Sequence, residues 1–370
     1  LNRKHFYNMK IADKKHILQK IAGLCKVILP AFVVMYLLFF ILSARTQYTG
    51  INLDNPEDYK YRGDGMIFLK TFYLLQSNSN FYAAYRQATG RDNSKRQLSA
   101  DVFTWRLPTI FYFWGLFVKN GYQILIIYWI LAFTFVLSIF FLLKRLSGII
   151  ASWLGVIIIL PYFAGNFWYK DSFLFTEWWA LFFFVIGLTL FVYKKYSLAW
   201  IILLLSVLIR ELMLIPFIFF LIWSFLKKRN RLFFVTIIAI FLLYFVLHYS
   251  LVISSFNNNH LRATTFNLLH YRFHPFEKLG FLSMTAFSFW SYPFIKFRVN
   301  LLLFLIGAVS LLKYLAGHWK ALDDTFYVYI SAWSFLLVLP FISNNSGNDY
   351  WGILFMPILL ITVPLLIDEF

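Results

Sequence analysis

The residue best suited to chemistry is Asp64, which lies between two glycines in the stretch Tyr61-Arg62-Gly63-Asp64-Gly65. A carboxylate can take up a proton, and flanking glycines let backbone and substrate come close to it. The motif belongs to residues 43–106, the only long polar interval in a sequence that otherwise consists of apolar blocks. We therefore expect this interval to carry the chemistry and the apolar blocks to hold it in place.

Arg210 is the second residue of interest, because it lies with Glu211 inside the apolar block 198–226. An arginine at membrane depth is costly and usually faces a cavity. It could bind an anion there, or it could form a structural ion pair with a nearby carboxylate. Adjacent side chains on a helix point roughly 100° apart, so we do not expect Glu211 to be that partner.

The composition indicates a membrane protein. The chain is 61% hydrophobic and 14% charged, which leaves too little polar surface to cover a soluble globule. A net charge of +18 would suggest nucleic-acid binding in a soluble protein. Here the lysines and arginines flank apolar blocks, which is typical of positive-inside orientation and contact with anionic lipids, so we expect no nucleic-acid partner. The single cysteine, Cys25, excludes an intrachain disulfide framework.

The elements that must position Asp64 follow from the apolar pattern. Residues 1–26 predict either a basic amphipathic helix on the cytoplasmic lipid headgroups or an unstructured tail. Residues 27–42 predict a short first span, after which 43–106 form a first outer loop. Within that loop, we expect helices at 66–76 and 81–88, separated by a turn at 77–80.

The next blocks are read by length and flanking charge. Residues 107–119 are too short to span and predict an interfacial helix, whereas 122–143, 149–163 and 172–193 predict crossings. Block 198–226 has basic residues at both ends and is too short for two crossings. It predicts a short cytoplasmic-side helical hairpin with its apex near Arg210-Glu211 and its second arm broken at Pro216.

The remaining chain completes the expected topology. Residues 232–252 lead outward to a second outer loop, 253–297, with an interfacial helix at 281–294, and 299–315, 326–342 and 351–367 are the last spans. We thus expect an all-α polytopic membrane helix bundle, residues 27–370, with about eight full spans, one hairpin and outer juxtamembrane helices. Both termini are expected on the cytoplasmic side of a plasma (inner) membrane.

This order of parts resembles the GT-C superfamily of polyprenyl-phosphate-sugar glycosyltransferases, in particular its mannosyltransferase-like members. The shared features are the aspartate in a long first outer loop, Arg106-Leu107-Pro108 opening an interrupted apolar run, and a short hairpin with Ile209-Arg210-Glu211. A late aromatic motif, Asp349-Tyr350-Trp351, has Pro357 beyond it. Many members carry arginine before this tyrosine, so no phosphate-binding role transfers to Asp349.

The resemblance implies inverting transfer of a sugar from a polyprenyl-phosphate donor to a glycan or protein acceptor at the outer membrane face. A glycosyl phosphate leaves as a stabilised anion, so one general base that takes the acceptor proton suffices. Asp64 is the candidate base. Its alternative is a structural residue near the N-cap of the following helix.

Cations must meet the donor phosphate, where charge develops at a water-poor interface. Arg210 is one candidate. Four weaker candidates, each of which could instead be a solvated surface charge, are Arg62, Arg106, His270 and His274. Through the family motifs, Glu211 and Tyr350 are also expected to contact substrate.

Asp171 has three interpretations. It could assist the acceptor, it could bind a divalent cation together with Asp64, since hard cations prefer oxygen ligands, or it could cap the helix beginning at Ser172. No cysteine and histidine cluster has zinc-ligand spacing.

Two other classes of function stay open. A transporter or lipid flippase would place its polar groups along a substrate path through the membrane. A noncatalytic membrane scaffold subunit would retain the architecture without a working site. The position of the essential charges separates these classes, since a transferase needs Asp64 and a phosphate-binding cation at one outer cavity.

Overall fold

The computed structural model describes residues 23–35, 53–54, 64–77, 79–90, 105–161, 171–226, 231–256, 299–318, 323–337 and 352–367. All regular elements in these ranges are helical, which confirms the expected all-α class. Two helical segments are long and apolar enough to cross a membrane, Gly121–Ile159 and Val235–Ser255. The twelve described α-helices are α1 Gly23–Met35, α2 Asp64–Gln76, α3 Phe81–Gly90, α4 Thr109–Phe117, α5 Gly121–Ile159, α6 Thr176–Val192, α7 Tyr196–Ile209, α8 Leu214–Leu226, α9 Arg231–Phe256, α10 Val299–His318, α11 Asp324–Trp333 and α12 Gly352–Leu360.

Helices α2 and α3 confirm the prediction for the polar interval. They pack against each other and are joined through the predicted turn. Asn80 of that turn caps α3, because its Oδ1 accepts a hydrogen bond from the Ala83 N–H at 2.8 Å. The pair is therefore a helical hairpin that begins at Asp64.

The interruption at residues 119–121 is a helix cap that separates α4 from α5. Asn120 Oδ1 accepts from the Gln123 N–H at 3.0 Å, and Gln123 Oε1 accepts from the Lys119 N–H at 2.6 Å. The start of α5 is also tied to α2. The Tyr73 hydroxyl donates to the Leu53 carbonyl at 2.8 Å and accepts from the Gly121 N–H at 3.0 Å.

Helix α5 reverses direction at Gly148, which has φ 87° and ψ −171°, a backbone region open essentially to glycine alone. The rings of Phe140 and Trp153 lie 4.7 Å apart, whereas a straight helix would separate these residues by about 20 Å. A Cβ on Gly155 would overlap the Leu143 side chain. Residues 149–159 therefore lie beside residues 121–147, in agreement with the two predicted segments 122–143 and 149–163.

Helix α6 lies at the centre of the bundle and is buried along nearly all of its length. Helix α7 packs antiparallel to it. The Ser206 hydroxyl donates to the Ala180 carbonyl at 2.7 Å, and Gly187 gives room for Leu203, whose Cγ would lie 2.8 Å from an added Cβ. These small residues allow the two backbones to approach closely.

Residues 198–226 form a helical hairpin, as predicted, with α7 and α8 as its arms. Trp200 of α7 packs against Phe217 and Phe220 of α8, with ring centroids 5.8 and 6.4 Å apart. The chain turns at Arg210 and the 3-10 helix Glu211–Met213. The expected break at Pro216 is wrong. Pro216 lies in the first turn of α8, where its missing N–H costs little.

The later helices differ from prediction mainly at their ends. Helix α11 passes into the 3-10 helix Ser334–Leu337, and α12 is followed by a turn and the 3-10 helix Pro364–Leu366. Gly307 of α10 packs against Trp333 and Thr362, which joins these elements. The predictions for most of 1–26, for the loop 253–297 beyond residue 256 and for 343–350 lie outside the described residues.

The α2–α3 hairpin is also held at its second helix. Tyr82 and His248 share a hydrogen bond of 2.9 Å between the phenol oxygen and Nδ1. Arg86 Nη1 donates to the Ser255 carbonyl at 2.7 Å, near the C-terminus of α9, where a cation is favourable. The hairpin is thus attached to α5 at one end and to α9 at the other.

Candidate functional site

Asp64 is the first residue of α2, and its side chain keeps 28% of its surface exposed. Its Oδ2 lies 3.7 Å from Arg106 Nη2. A carboxylate in the first turn of a helix also interacts favourably with the helix dipole. The geometry therefore fits both interpretations of Asp64, a base open to a reactant and a residue at a helix N-terminus.

Arg106 lies just before α4 in a buried position. Its guanidinium carbon is 5.7 Å from the centroid of the Phe68 ring, a cation–π contact with α2. The neighbouring Trp105 packs against Tyr82 and Tyr85 of α3. The segment before α4 is thus held by both helices of the α2–α3 hairpin, which places Arg106 beside Asp64.

Glu177 is a site residue to which the sequence analysis assigned no role. It lies in the first turn of α6 and is fully buried. Its Oε1 is 2.9 Å from Arg210 Nε and 3.9 Å from Arg106 Nη2, and its Oε2 accepts from the Thr176 hydroxyl at 3.2 Å. A lone acid in an apolar block is as costly as a lone arginine, so Glu177 stands out in the sequence for the same reason as Arg210.

The expectation that Glu211 would not pair with Arg210 is wrong. Arg210 Nη1 donates to Glu211 Oε1 at 2.8 Å. The helical angle of 100° does not apply, because Arg210 has φ −142° and ψ 113° and lies at the break between α7 and the 3-10 turn. Arg210 is fully buried with two carboxylates against it, which favours the structural ion pair among its two interpretations.

Asp171 lies directly beside the start of α2. A Cβ added to Gly65 would overlap Asp171 Oδ2 and would lie 2.7 Å from its Cβ and Cγ, so the glycine makes this approach possible. The expectation that Asp171 caps the helix at Ser172 is wrong, because its side chain makes no capping hydrogen bond to the 3-10 helix Ser172–Leu174. Burial, and secondarily the charge of Asp64, raise the pKa of Asp171 to about 6.

The assembled cluster contains more carboxylates than cations. Its acids come from the start of α2, the start of α6 and the turn after α7, so the fold gathers charges from distant parts of the sequence at one end of these helices. Such a cluster can orient a base and hold a proton near neutral pH. Its members are the acids Asp64, Asp171, Glu177 and Glu211 and the cations Arg106 and Arg210.

The described residues of this cluster offer few ligands for a metal ion. Within the described ranges, no group of three or more histidine, cysteine, aspartate or glutamate side chains is arranged to hold a metal ion. Asp64 and Asp171 offer oxygen ligands from two elements that touch. A divalent cation between them stays a prediction.

Of the predicted site residues, the structure brings together Asp64, Arg106, Asp171, Arg210 and Glu211. The others lie outside the described residues: Arg62, His270, His274 and Tyr350. In comparisons with protein-family models, curated proteins and solved structures, nothing matches this chain.

Proposed function

We propose that this chain is a multi-pass membrane glycosyltransferase of the GT-C type. It transfers a sugar from a polyprenyl-phosphate donor to a glycan or protein acceptor at the outer face of the plasma (inner) membrane, with inversion. The observation that carries the proposal is the cluster around Asp64. Its buried ion pairs lie beside Asp64, the most exposed carboxylate of these ion pairs, at a helix N-terminus.

The proposed membrane arrangement has about eight spans, with both termini cytoplasmic and the α7–α8 hairpin entering from the cytoplasmic side. Helix α6 has 17 residues and is about 25 Å long. With Lys194 and Lys195 at the cytoplasmic headgroups, Glu177 and Arg210 lie near the outer edge of a hydrocarbon core about 30 Å thick. The phosphate of a lipid-linked sugar lies at this same boundary.

In the proposed mechanism, Asp64 takes the proton from the acceptor hydroxyl while that oxygen attacks the anomeric carbon. The bond from the sugar to phosphate breaks, and the polyprenyl phosphate leaves as an anion that needs no acid. Arg106 orients the Asp64 carboxylate through their contact at 3.7 Å. The partial exposure of Asp64 supports its role as the base, whereas Glu177 is fully buried.

The donor phosphate adds negative charge to a cluster that already has an excess of carboxylates. Arg210 is engaged by Glu177 and Glu211 at short distances, so it is the weaker phosphate ligand of the two arginines in the cluster. Phosphate binding is therefore assigned to Arg106, together with the cations Arg62, His270 and His274 of the proposed outer loops. Tyr350 of the late aromatic motif remains a proposed substrate contact.

The position of the charges favours a transferase over a transporter. Glu177 is the only ionisable acid or base in α6, and it lies in the first turn, while α7 contains none between Tyr196 and Arg210. A transporter would need polar groups that continue from one side of the membrane to the other. In this part of the bundle, the charges gather at one end.

The test is transfer of labelled sugar from a polyprenyl-phosphate donor by native protein in membranes, compared with Asp64→Asn. Asp54→Asn is the matched control, because Asp54 is an exposed acid in the same polar interval. Loss of turnover in D64N alone, with donor binding retained, supports Asp64 as the base. Equal turnover in D64N and native protein removes Asp64 from the mechanism. A native protein that transfers no sugar from any polyprenyl-phosphate donor refutes the proposed function.

A further inference from the structure

We infer that Glu177 is a positioning residue that holds Arg106 against Asp64. This inference rests on the proposed function, because it concerns the geometry of the proposed base. Glu177 is fully buried and so has no access to a substrate. It acts through the charged groups that it touches.

Glu177 contacts both arginines of the cluster. Its Oε1 faces one arginine from the turn after α7, with Nε at 2.9 Å, and another from the segment before α4, with Nη2 at 3.9 Å. The Thr176 hydroxyl fixes its second oxygen. Glu177 therefore connects Arg106 to the innermost ion pair of the bundle.

The same nitrogen of Arg106 links both carboxylates. Nη2 lies 3.9 Å from Glu177 Oε1 and 3.7 Å from Asp64 Oδ2, while the ring of Phe68 covers the guanidinium at 5.7 Å. Of the two acids, Asp64 is the exposed one and Glu177 the buried one, at 28% and 0%. The buried acid gives Arg106 a fixed position, from which Arg106 aligns the exposed acid.

If Glu177 had only a structural role, that role would be its ion pair with Arg210. Arg210 has a second carboxylate partner, since its Nη1 donates to Glu211 Oε1 at 2.8 Å. Glu177 is the acid that faces Arg106 from the buried side of the cluster. Replacement of Glu177 by glutamine therefore leaves Arg210 with the Glu211 carboxylate and takes a negative charge away from the Arg106 guanidinium.

The experiment is a double-mutant cycle on transfer kinetics, with Glu177→Gln and Arg106→Gln measured singly and together in the full chain in membranes. A base that is displaced by about 1 Å loses about 100-fold in rate. We expect E177Q to lower kcat by about 10-fold to 100-fold while KM for the acceptor, which Arg106 is not assigned to bind, changes by less than about threefold. In the R106Q background, E177Q should lower kcat by less than about twofold, because its effect passes through Arg106.

Asp323→Asn is the matched control for a loss of general stability. Asp323 caps α11 by accepting from the Phe326 N–H at 3.0 Å, so the control also turns a structural carboxylate into an amide. Its kcat should equal that of the native protein. If E177Q does not fold, Glu177→Gln combined with Arg210→Gln removes both charges of the buried pair and should show the same loss of kcat.

The outcomes separate this inference from the proposed function. Native kcat in E177Q, or equal losses from E177Q in the native and R106Q backgrounds, overturns the positioning role while transfer by the native chain still stands. A native chain that transfers nothing overturns the proposed function and the positioning role together. A non-additive cycle with an unchanged D323N control supports the role of Glu177.

Discussion

Replacement of Gly65 by alanine tests the closest approach in the candidate site. The added Cβ would overlap Asp171 Oδ2 and lie 2.7 Å from two further carbons of Asp171, distances that side chains do not tolerate. Either Asp171 or the start of α2 must move. Overpacking of this kind costs roughly 1–3 kcal/mol. Because Asp64 is the preceding residue, we also expect up to about a 100-fold loss of transfer rate.

The assay is thermal unfolding of the purified protein in detergent, with Gly115→Ala as control. Gly115 lies in α4 and has nothing within 4 Å of an added Cβ, so G115A should be neutral or slightly stabilising, by up to about 1 kcal/mol. Asp171→Gly removes the atoms that collide. In that background, Gly65→Ala should no longer lower the unfolding temperature, which gives a coupling between positions 65 and 171.

Two results would refute this reasoning. If G65A and G115A unfold at the same temperature, α2 and Asp171 are not in close contact. If D171G fails to remove the effect of G65A, the collision lies elsewhere.

Two further predictions follow from the pKa of Asp171 and from the backbone at Gly148. Folding raises the pKa of Asp171 from 3.8 to about 6. Between these two pH values the folded protein binds more protons than the unfolded chain. The ionised Asp171 therefore lowers the free energy of unfolding as the pH rises from about 4 to about 6. Asp171→Asn should therefore raise the unfolding free energy at pH 7, by up to about 3 kcal/mol, and flatten its pH dependence between pH 4 and 6; an unchanged pH profile of chemical denaturation would contradict this. Gly148→Ala should destabilise the protein by about 1–3 kcal/mol, because φ 87° with ψ −171° is strained for alanine, and an unfolding temperature equal to that of the native protein would argue against the reversal.

The helices were predictable where local signals are strong. Periodic apolar residues and the turn at 77–80 located α2 and α3 within two residues at each end. Basic residues before Gly148 and around 198–226 indicated where the chain reverses. The ends of α11 and α12 were not predictable, because the apolar run continues past them and tertiary packing decides where the helix stops.

The site was predictable in part. Asp64 and Arg210 stand out from their own surroundings, as a carboxylate between glycines and a charge in an apolar block. The contacts between them are not visible in the sequence, because they pass through Arg106 and Glu177, which lie in two other parts of the chain. The pairing of Arg210 with Glu211 was missed because it depends on the local backbone at the turn, which interrupts the helix that the apolar pattern predicts.

The reversal at Gly148 determines at which end of the bundle the residues after α5 begin. Arg106 and Asp64 precede α5 in the chain, whereas Asp171 and Glu177 come after its end. If the 39 residues of α5 formed one straight rod, the chain would leave about 58 Å from where it entered. The backbone conformation of one glycine, outside the cluster, thus allows the residues before α5 and the residues after it to meet in the candidate site.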